Sequence, residues 1–181
     1  IDIMDIQCPE DNFEQGTYCY ESSLVGEEVW TSGIVTHVLP AGHSSEGNFF
    51  LQHVGTSECA GIFIRDFDII PDVGDAMLLQ GTVNEYYSFT QLIDVNQGPI
   101  TAHDIIIAPT IITTGELGID CTLDGEKLEG MLVKVYDVMI EGIDEFGNIQ
   151  INDGSGPTLM DDYYFDGSWP SISIGDEIPT I

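Results

Sequence analysis

Short runs of β-branched and aromatic residues, separated by Gly, Asp, Asn and Pro, are the feature that most constrains the fold of this chain. Runs such as EVWTSGIVTHVL, NFFLQ, GIFIRDF and AMLLQGTV in the first half, and MLVKVYDVMI and NIQIN in the second, have the length and composition of strands. Helical periodicity is almost absent. The sequence therefore predicts an all-β protein.

The two halves of the chain share three sequence anchors in the same order. LVGEEV at 24–29 matches LEGMLV at 128–133, GNFFLQ at 47–52 matches GNIQIN at 147–152, and VGD at 73–75 matches IGD at 174–176. Gly and Asp in these anchors are typical turn residues, since Gly tolerates positive φ and Asp bonds to its own local backbone. The pattern predicts two similar β-modules.

The anchors predict a first module at 1–98, an extended, Pro-containing linker at 99–127 and a second module at 128–181. At the same spacing, the counterpart of GTVNEYYSFTQL (Gly81–Leu92) would begin just beyond Ile181. We therefore expect the second module to lack its closing strand here. Either the natural chain continues, or a strand from another subunit completes the sheet by β-augmentation.

The first seven residues, IDIMDIQ, form a candidate donor strand for such an assembly. Ile1 and Ile3 alternate with Asp2, which is the period of a strand with one apolar face, and Ile6 is a third apolar residue in the segment. The chain begins without Met or a basic leader region, which is typical of a processed, secreted protein. A head-to-tail contact of this kind predicts a homopolymer.

The charge excludes two classes of partner. Against 32 Asp and Glu residues stand three Lys and Arg residues, so the formal net charge is −29. Such a surface repels phosphate backbones and anionic membranes, and we expect no direct nucleic-acid or membrane binding. Self-repulsion on this scale also favours a saline or calcium-containing medium.

The four cysteines, Cys8, Cys19, Cys59 and Cys121, form no C-x-x-C pair and favour disulfides over a metal site. Three connectivities are open. Cys8 and Cys19 flank the polar loop PEDNFEQGTY, so a Cys8–Cys19 bridge is preferred, which leaves Cys59 to pair with Cys121. Disulfides indicate an oxidising, extracellular location.

The motifs together resemble a known region. The succession SSLVGEEVWTSGIVTHV, GNFFLQ, GIFI, PDVGD, GTVNEYYSFTQL, LEGMLVKVYDV and INDGSG is similar to the tandem OB-like region ahead of the catalytic domain in bacterial secreted nucleases of the endonuclease/exonuclease/phosphatase type. The resemblance implies two small five-stranded Greek-key barrels or sandwiches and a supporting role beside a metal-dependent nuclease. OB-type sheets commonly bind oligonucleotides or sugars. No residues here match the family's catalytic motifs.

Three aromatic residues, Tyr86, Tyr87 and Phe89, are the candidate ligand-stacking residues. Aromatic side chains on OB-type sheets stack against bases or sugars. The motif contains no basic residue, so packing within the protein is favoured over stacking. If a ligand binds there, a neutral glycan suits the acidic surface better than DNA does.

Two further groups of residues, a cluster of aspartates and the four histidines, are candidates for chemical sites. Carboxylates suited to Ca²⁺ cluster at Asp153, Asp161, Asp162 and Asp166, although a solvated acidic face is the favoured explanation of such a cluster in this composition. The histidines, His37, His43, His53 and His103, lie in separate segments, and no catalytic motif is present. The sequence therefore predicts a protein that is not an enzyme.

The leading hypothesis is a secreted, non-catalytic structural protein that assembles into an extracellular filament by strand donation between subunits. Calcium bridging between subunits would neutralise the repulsion that opposes assembly. The alternative, from a different functional class, is an accessory module that positions a nucleic-acid or glycan substrate for a secreted nuclease.

Overall fold

The structure, a computed structural model, describes residues 1–8, 19–66, 68–161, 163 and 171–181. The chain divides into two compact units, which are described separately below. The first unit comprises residues 1–108 and 126–132, and the second comprises residues 109–125 and 133–181.

Five strands of the first unit form a closed barrel. They are β1 (Glu28–Val38), β2 (Phe49–Gln52), β3 (Gly61–Ile64), β4 (Ala76–Glu85) and β5 (Thr90–Ala102). Their order around the barrel is β1-β2-β3-β5-β4, and β1 pairs antiparallel with both β2 and β4. The barrel is closed by β5, which runs antiparallel to β4 and parallel to β3. The prediction of an all-β fold is confirmed.

Residues at alternate positions of the strands fill the barrel interior. In β4, Met77, Leu79 and Val83 are buried, while the residues between them are partly exposed. This is the two-residue period of a strand with one face on a core. Gly81 occupies an inward position of the same series, where a Cβ would lie 3.2 Å from the Cβ of Leu92. Glycine at this position therefore lets β4 and β5 approach closely.

The predicted donor strand at the start of the chain is wrong, because residues Ile3–Gln7 form a short helix, α1. Ile3 and Ile6 lie three residues apart and therefore on one helix face. Both are fully buried and belong to the hydrophobic core of the barrel. Ile1 is 55% exposed, and its amino group donates a hydrogen bond to the Trp30 carbonyl oxygen at 2.7 Å. The segment completes the core of its own subunit.

The preferred disulfide pairing is also wrong. Cys8, directly after α1, is bonded to Cys59 in the loop between β2 and β3, with their Cα atoms 5.2 Å apart. The helical course of the preceding residues places Cys8 beside this loop. Cys19 and Cys121 are also disulfide-bonded, and no cysteine is free. The prediction that all four cysteines form disulfides is confirmed.

The second unit contains a four-stranded antiparallel sheet. Its order is β10-β9-β8-β11, and a separate parallel pair joins β6 to β7. The elements after β5 are β6 (Thr110–Ile111), α2 (Thr114–Leu117), α3 (Leu123–Glu126), β7 (Val133–Lys134), β8 (Tyr136–Ile143), β9 (Ile149–Asn152), β10 (Pro157–Met160) and β11 (Glu177–Thr180). The predicted boundaries at 98, 99–127 and 128 are therefore corrected, since the predicted linker contains part of β5, β6 and both short helices.

The two units share the turn that the VGD and IGD anchors predicted. Gly74 and Gly175 both have positive φ, at 94° and 95°. The Gly74 amide donates to the Val35 carbonyl oxygen at 2.9 Å, and the Gly175 amide donates to the Ile140 carbonyl oxygen at 2.8 Å. The aspartate after each glycine accepts a hydrogen bond from the amide three residues before it, at 3.1 and 2.7 Å. These anchors predicted local geometry correctly.

The buried position of α1 makes a direct prediction about stability. Replacement of Ile3 or Ile6 by Ala should lower the free energy of unfolding by about 2–5 kcal/mol, because each change leaves a cavity in the barrel core. Ile1→Ala is the matched control, and it should change the free energy by less than about 0.5 kcal/mol because Ile1 is exposed. Denaturant unfolding measures all three variants. Equal effects at Ile1 and Ile3 would contradict the placement of α1.

Candidate functional site

The predicted aromatic site lies at the hairpin between β4 and β5. The hairpin is closed by a hydrogen bond from the Tyr86 amide to the Phe89 carbonyl oxygen at 3.1 Å. Tyr87 and Ser88 at its tip have φ of 53° and 62°. Two-residue hairpins that need positive φ at both positions strongly prefer Asn-Gly, and a residue with a Cβ pays on the order of 1 kcal/mol in the left-handed region. The tip therefore holds a tyrosine in a strained backbone conformation.

An aromatic cluster lies beside the hairpin. The rings of Phe50 in β2 and Phe63 in β3 have centroids 4.9 Å apart, and the Phe89 ring lies 5.4 Å from Phe63 and 6.3 Å from Phe50. Phe63 is buried at 6% exposure, and Phe89 is partly buried. Edge and tilted contacts at these distances are favourable for aromatic pairs. Phe89 thus packs within the protein, as the sequence predicted.

Tyr86 and Tyr87 differ from Phe89, because they remain exposed at 53% and 82%. Their rings are perpendicular, with centroids 4.8 Å apart. The Arg65 guanidinium carbon lies 5.4 Å from the centroid of the Tyr86 ring, which is within the range of a cation–π contact. We call Tyr86, Tyr87 and Arg65 the tyrosine face. It presents two aromatic rings and one positive charge at the surface of the first unit.

Sequence reasoning did not place Arg65 in this site. Arg65 directly follows β3, and its amide donates to the Leu92 carbonyl oxygen in β5 at 2.9 Å. The parallel pairing of β3 with β5 therefore brings Arg65 to the hairpin that precedes β5. The segment GIFIR, in which a cation directly follows an apolar run, indicates a charged residue at the end of a buried strand. The spacing of the sequence does not show which strand pairs with this one, so Arg65 could not be assigned to the hairpin.

The tyrosine face contains one of only three Lys and Arg side chains in the chain. Lys127 forms an ion pair with Glu58 at 3.3 Å, and Lys134 lies over the ring of Tyr136. The face therefore has a single guanidinium rather than the basic groove that a nucleic-acid backbone requires.

The predicted calcium ligands do not form a metal site in the described part of the chain. Asp153 accepts hydrogen bonds from Ser155 and Thr114, and these bonds, the one from the Ser155 hydroxyl foremost, lower the pKa of Asp153 to about 2. Asp161 accepts a hydrogen bond from the Tyr163 amide at 2.6 Å. Asp162 and Asp166 lie outside the described residues. Among those that are described, no group of three or more His, Cys, Asp or Glu side chains is arranged to hold a metal ion.

The histidines remain separate, and one of them has a clear structural contact. The His103 Nδ1 atom lies 2.6 Å from the Asp75 carboxylate, and this hydrogen bond is the main reason why the pKa of Asp75 is lowered. His37 lies near Phe50, with ring centroids 6.4 Å apart. These contacts tie neighbouring segments of the first unit together.

The sheet of the second unit offers a second candidate site. β8 pairs with β9 and β11 as β1 pairs with β2 and β4. In the barrel, β5 lies between β3 and β4, whereas no strand among the described residues lies between β10 and β11. Leu159 in β10 is 43% exposed, and Ile181 beside β11 is 40% exposed. Edge strands with exposed apolar side chains are templates for a further strand.

No family model, curated protein or solved structure matches the chain. The resemblance to secreted nucleases thus stays a prediction. Over the residues that the structure describes, no helix has both the length and the apolar character needed to cross a membrane.

The strained hairpin makes a prediction that separates stability from function. Ser88→Asn should raise the free energy of unfolding by about 0.5 kcal/mol, because Asn enters the left-handed region at a lower cost than Ser does. Unlike Gly, Asn also retains a side-chain oxygen for the hydrogen bond that the Cys19 amide donates to Ser88 at 3.0 Å. Ser57→Asn is the matched control, because Ser57 has no positive φ, and it should give no gain. Denaturant unfolding of both variants measures the difference. An equal effect of the two variants would contradict the strain.

Proposed function

We propose that this chain is a non-catalytic, extracellular interaction protein that binds a neutral glycan at the tyrosine face. The observation that carries the proposal is Tyr87, which is 82% exposed at a strained hairpin tip. Strained residues cluster at ligand clamps, where the surrounding structure maintains them for function. The disulfides support an oxidising, extracellular compartment.

The barrel topology supports a ligand at this position. The closed five-stranded barrel, in which β1 pairs with β2 and β4 and β3 runs parallel to β5, supports the proposal that the first unit is an OB-like barrel. Such barrels bind oligonucleotides and oligosaccharides on the face of strands 2 and 3 and at the loop between strands 4 and 5. Tyr86 and Tyr87 belong to that loop, and Arg65 directly follows strand 3.

The charge decides between these two ligand classes. With a net charge of −29, long-range repulsion opposes any polyanion, and the single Arg65 cannot offset it. A neutral sugar meets no such repulsion. Its apolar C–H face packs against an aromatic ring, while its hydroxyls accept hydrogen bonds from a guanidinium such as that of Arg65.

Binding should depend on Tyr87. Tyr87→Ala should weaken binding of a neutral polysaccharide by about 1–3 kcal/mol, which is roughly 5- to 150-fold in Kd, because one stacking ring is lost. Phe146→Ala is the matched control, since Phe146 is 83% exposed in the β8–β9 turn of the second unit. Affinity gel electrophoresis with β-glucan, galactomannan and dextran, beside an oligothymidine, measures both. Retardation by the oligothymidine alone, or equal losses in the two variants, would contradict the proposal.

A second candidate function, self-assembly into an extracellular filament, is favoured by the sheet of the second unit, in which no strand among the described residues lies between β10 and β11. We propose that a strand of a neighbouring copy adds to this sheet beside β10, in the position that β5 takes beside β3. The equivalent turns at Gly74 and Gly175 support the view that both units are OB-like modules. The donor is not Ile1–Gln7, because withdrawal of that segment would expose Ile3 and Ile6.

Assembly should increase with ionic strength. Screening of a net charge of −29 shortens the repulsion between copies to about 10 Å at 0.1 M salt, so larger species should form as sodium chloride or calcium chloride is added. Leu159→Pro, which removes an amide from β10, should prevent this growth, whereas Ile106→Pro in an exposed loop should not. Mass photometry and electron microscopy measure the species. Monomers at every salt concentration would contradict assembly.

A further inference from the structure

The segment Glu126–Leu132, which we call the crossing segment, lies against the outside of β3 in the first unit. The Cys59 amide donates to the Lys127 carbonyl oxygen at 2.6 Å, and the Leu132 amide donates to the Gln52 side-chain oxygen at 2.8 Å. The backbones of Gly61 and Gly130 are in such close contact that a Cβ on Gly61 would overlap the Gly130 carbonyl group. The contact therefore depends on two glycines.

The crossing segment places the carboxyl groups of Glu126 and Glu129 near that of Glu85. The Thr90 amide donates to Glu129 Oε1 at 2.9 Å, and the Thr90 hydroxyl donates to Glu85 Oε2 at 2.8 Å, so one residue bridges these two carboxyl groups. Glu126 is buried at 7% exposure on the same segment. The Gln7 amide nitrogen in α1 also donates to Glu129 Oε1, at 3.2 Å. We call Glu85, Glu126 and Glu129 the acid cluster.

The acid cluster has more acceptors than donors. Gln7 is 3% exposed, and its Oε1 atom has no hydrogen-bond partner among the residues described. The buried Oε1 atom of Glu85 likewise has no partner among them. Buried acceptors without donors are costly, and buried carboxylates without a counter-charge are more so.

No basic side chain compensates the acid cluster. Arg65, Lys127 and Lys134 are the only Lys and Arg residues of the chain, and all three are described. Arg65 lies over Tyr86, Lys127 pairs with Glu58, and Lys134 lies over Tyr136. Histidine does not contribute either, because the groups that act electrostatically on the three carboxyls are other carboxyls and neutral hydrogen-bond donors.

We propose that protons bound by Glu126 and Glu129 hold the crossing segment on the barrel, so that the acid cluster is a pH-sensitive latch. A protonated carboxyl group supplies an O–H donor to a cluster that lacks donors, and it removes the charge that burial penalises. On release, each carboxyl group loses its proton to the solvent and becomes a carboxylate. The contacts from Cys59 and Gln52 to the segment would then open.

The electrostatics agree with this geometry. Burial raises the pKa of Glu126 and of Glu129 to about 8, and neighbouring carboxylates raise both further in the same direction. Burial also raises the pKa of Glu85. Since the pKa is higher in the docked state than the ordinary 4.5, docking is strongest below pH 4.5 and is lost progressively as the pH rises towards 8.

Of the other groups near the acid cluster, the acidic neighbour acts in the same sense as burial, and the neutral donors act against it. Glu21, in the segment before β1, adds a negative charge near Glu85. Lys127, on the crossing segment itself, is engaged by Glu58. α1 contributes the neutral Gln7, and β5 contributes the neutral Thr90; their hydrogen bonds lower the pKa of Glu129 and offset only part of the effect of burial.

Cleavage by trypsin after Lys127 tests the latch. The rate in the protein is compared, from pH 5 to pH 9, with the rate in a synthetic peptide of residues 121–132, and cleavage after Lys134 serves as the internal control. Protection of the Lys127 site should fall by about tenfold per pH unit for each titrating carboxyl group and level off above about pH 8. In a variant that combines Glu126→Gln with Glu129→Gln, the protection should vary far less with pH, because Glu85 is then the one carboxyl group of the acid cluster that can still titrate. Glu145→Gln, on an exposed turn, should behave as the wild type does.

A direct titration keeps the test decisive if the double variant fails to fold. NMR of side-chain carboxyl carbons in the wild-type protein should give midpoints near 8 for two glutamates. Midpoints near 4.5 for all glutamates, protection that does not change with pH, or an unchanged slope in a folded double variant would overturn the proposal. Protection restored by calcium chloride at pH 9 would also overturn it, because a metal ion rather than protons would then hold the segment.

Discussion

Closure of the barrel by β5 is the interaction on which the rest of the first unit depends. β5 is bonded on one side to β4 along nearly its whole length and on the other side to β3 at Gln91 and Leu92. This closure surrounds a core of fully buried apolar side chains, each of which contributes about 1.5–3 kcal/mol when removed from water. It also brings Arg65 beside the strained hairpin at the tyrosine face, and it positions Thr90 to donate hydrogen bonds to the acid cluster.

The excess of acid is accommodated mainly by neutral donors rather than by ion pairs. Among the described residues the structure has one ion pair of a carboxylate with Lys or Arg, that of Glu58 with Lys127, and one hydrogen bond between a carboxylate and a histidine, that of Asp75 with His103. Asp144 and Asp153 instead accept hydrogen bonds from nearby amides and side chains, which lowers the pKa of each. Such carboxylates remain ionised. The acid cluster is the opposite case, because burial with too few donors favours the protonated form.

The sequence predicted local geometry better than tertiary placement. LVGEEV and LEGMLV both form a turn with glycine at positive φ, Gly26 at 87° and Gly130 at 68°. The first turn precedes β1, whereas the second belongs to the crossing segment and docks on the first unit instead of starting the second. The five residues of α1 are too few to show helical periodicity. The alternation of Ile1 and Ile3 with Asp2 resembles the two-residue period of a strand. Disulfide connectivity was open among three alternatives, because loop length alone cannot show which segments the fold brings together.

In the glycan complex that we propose, repulsion of other ligands would supply specificity at the tyrosine face as much as attraction does. An aromatic platform with one guanidinium has a π-face for any base or sugar, so contact chemistry alone would not separate a glycan from a nucleic acid. The field of 32 acidic residues makes that separation, because it raises the free energy of every polyanionic complex and leaves neutral ligands unaffected. Arg65 acts only at short range. Salt screens interactions between separated surface charges, whereas the contact of Arg65 with Tyr86 is close enough to be little affected. The ligand that we propose is therefore neutral, and it would offer an apolar face to Tyr86 and Tyr87 and hydroxyl acceptors to Arg65.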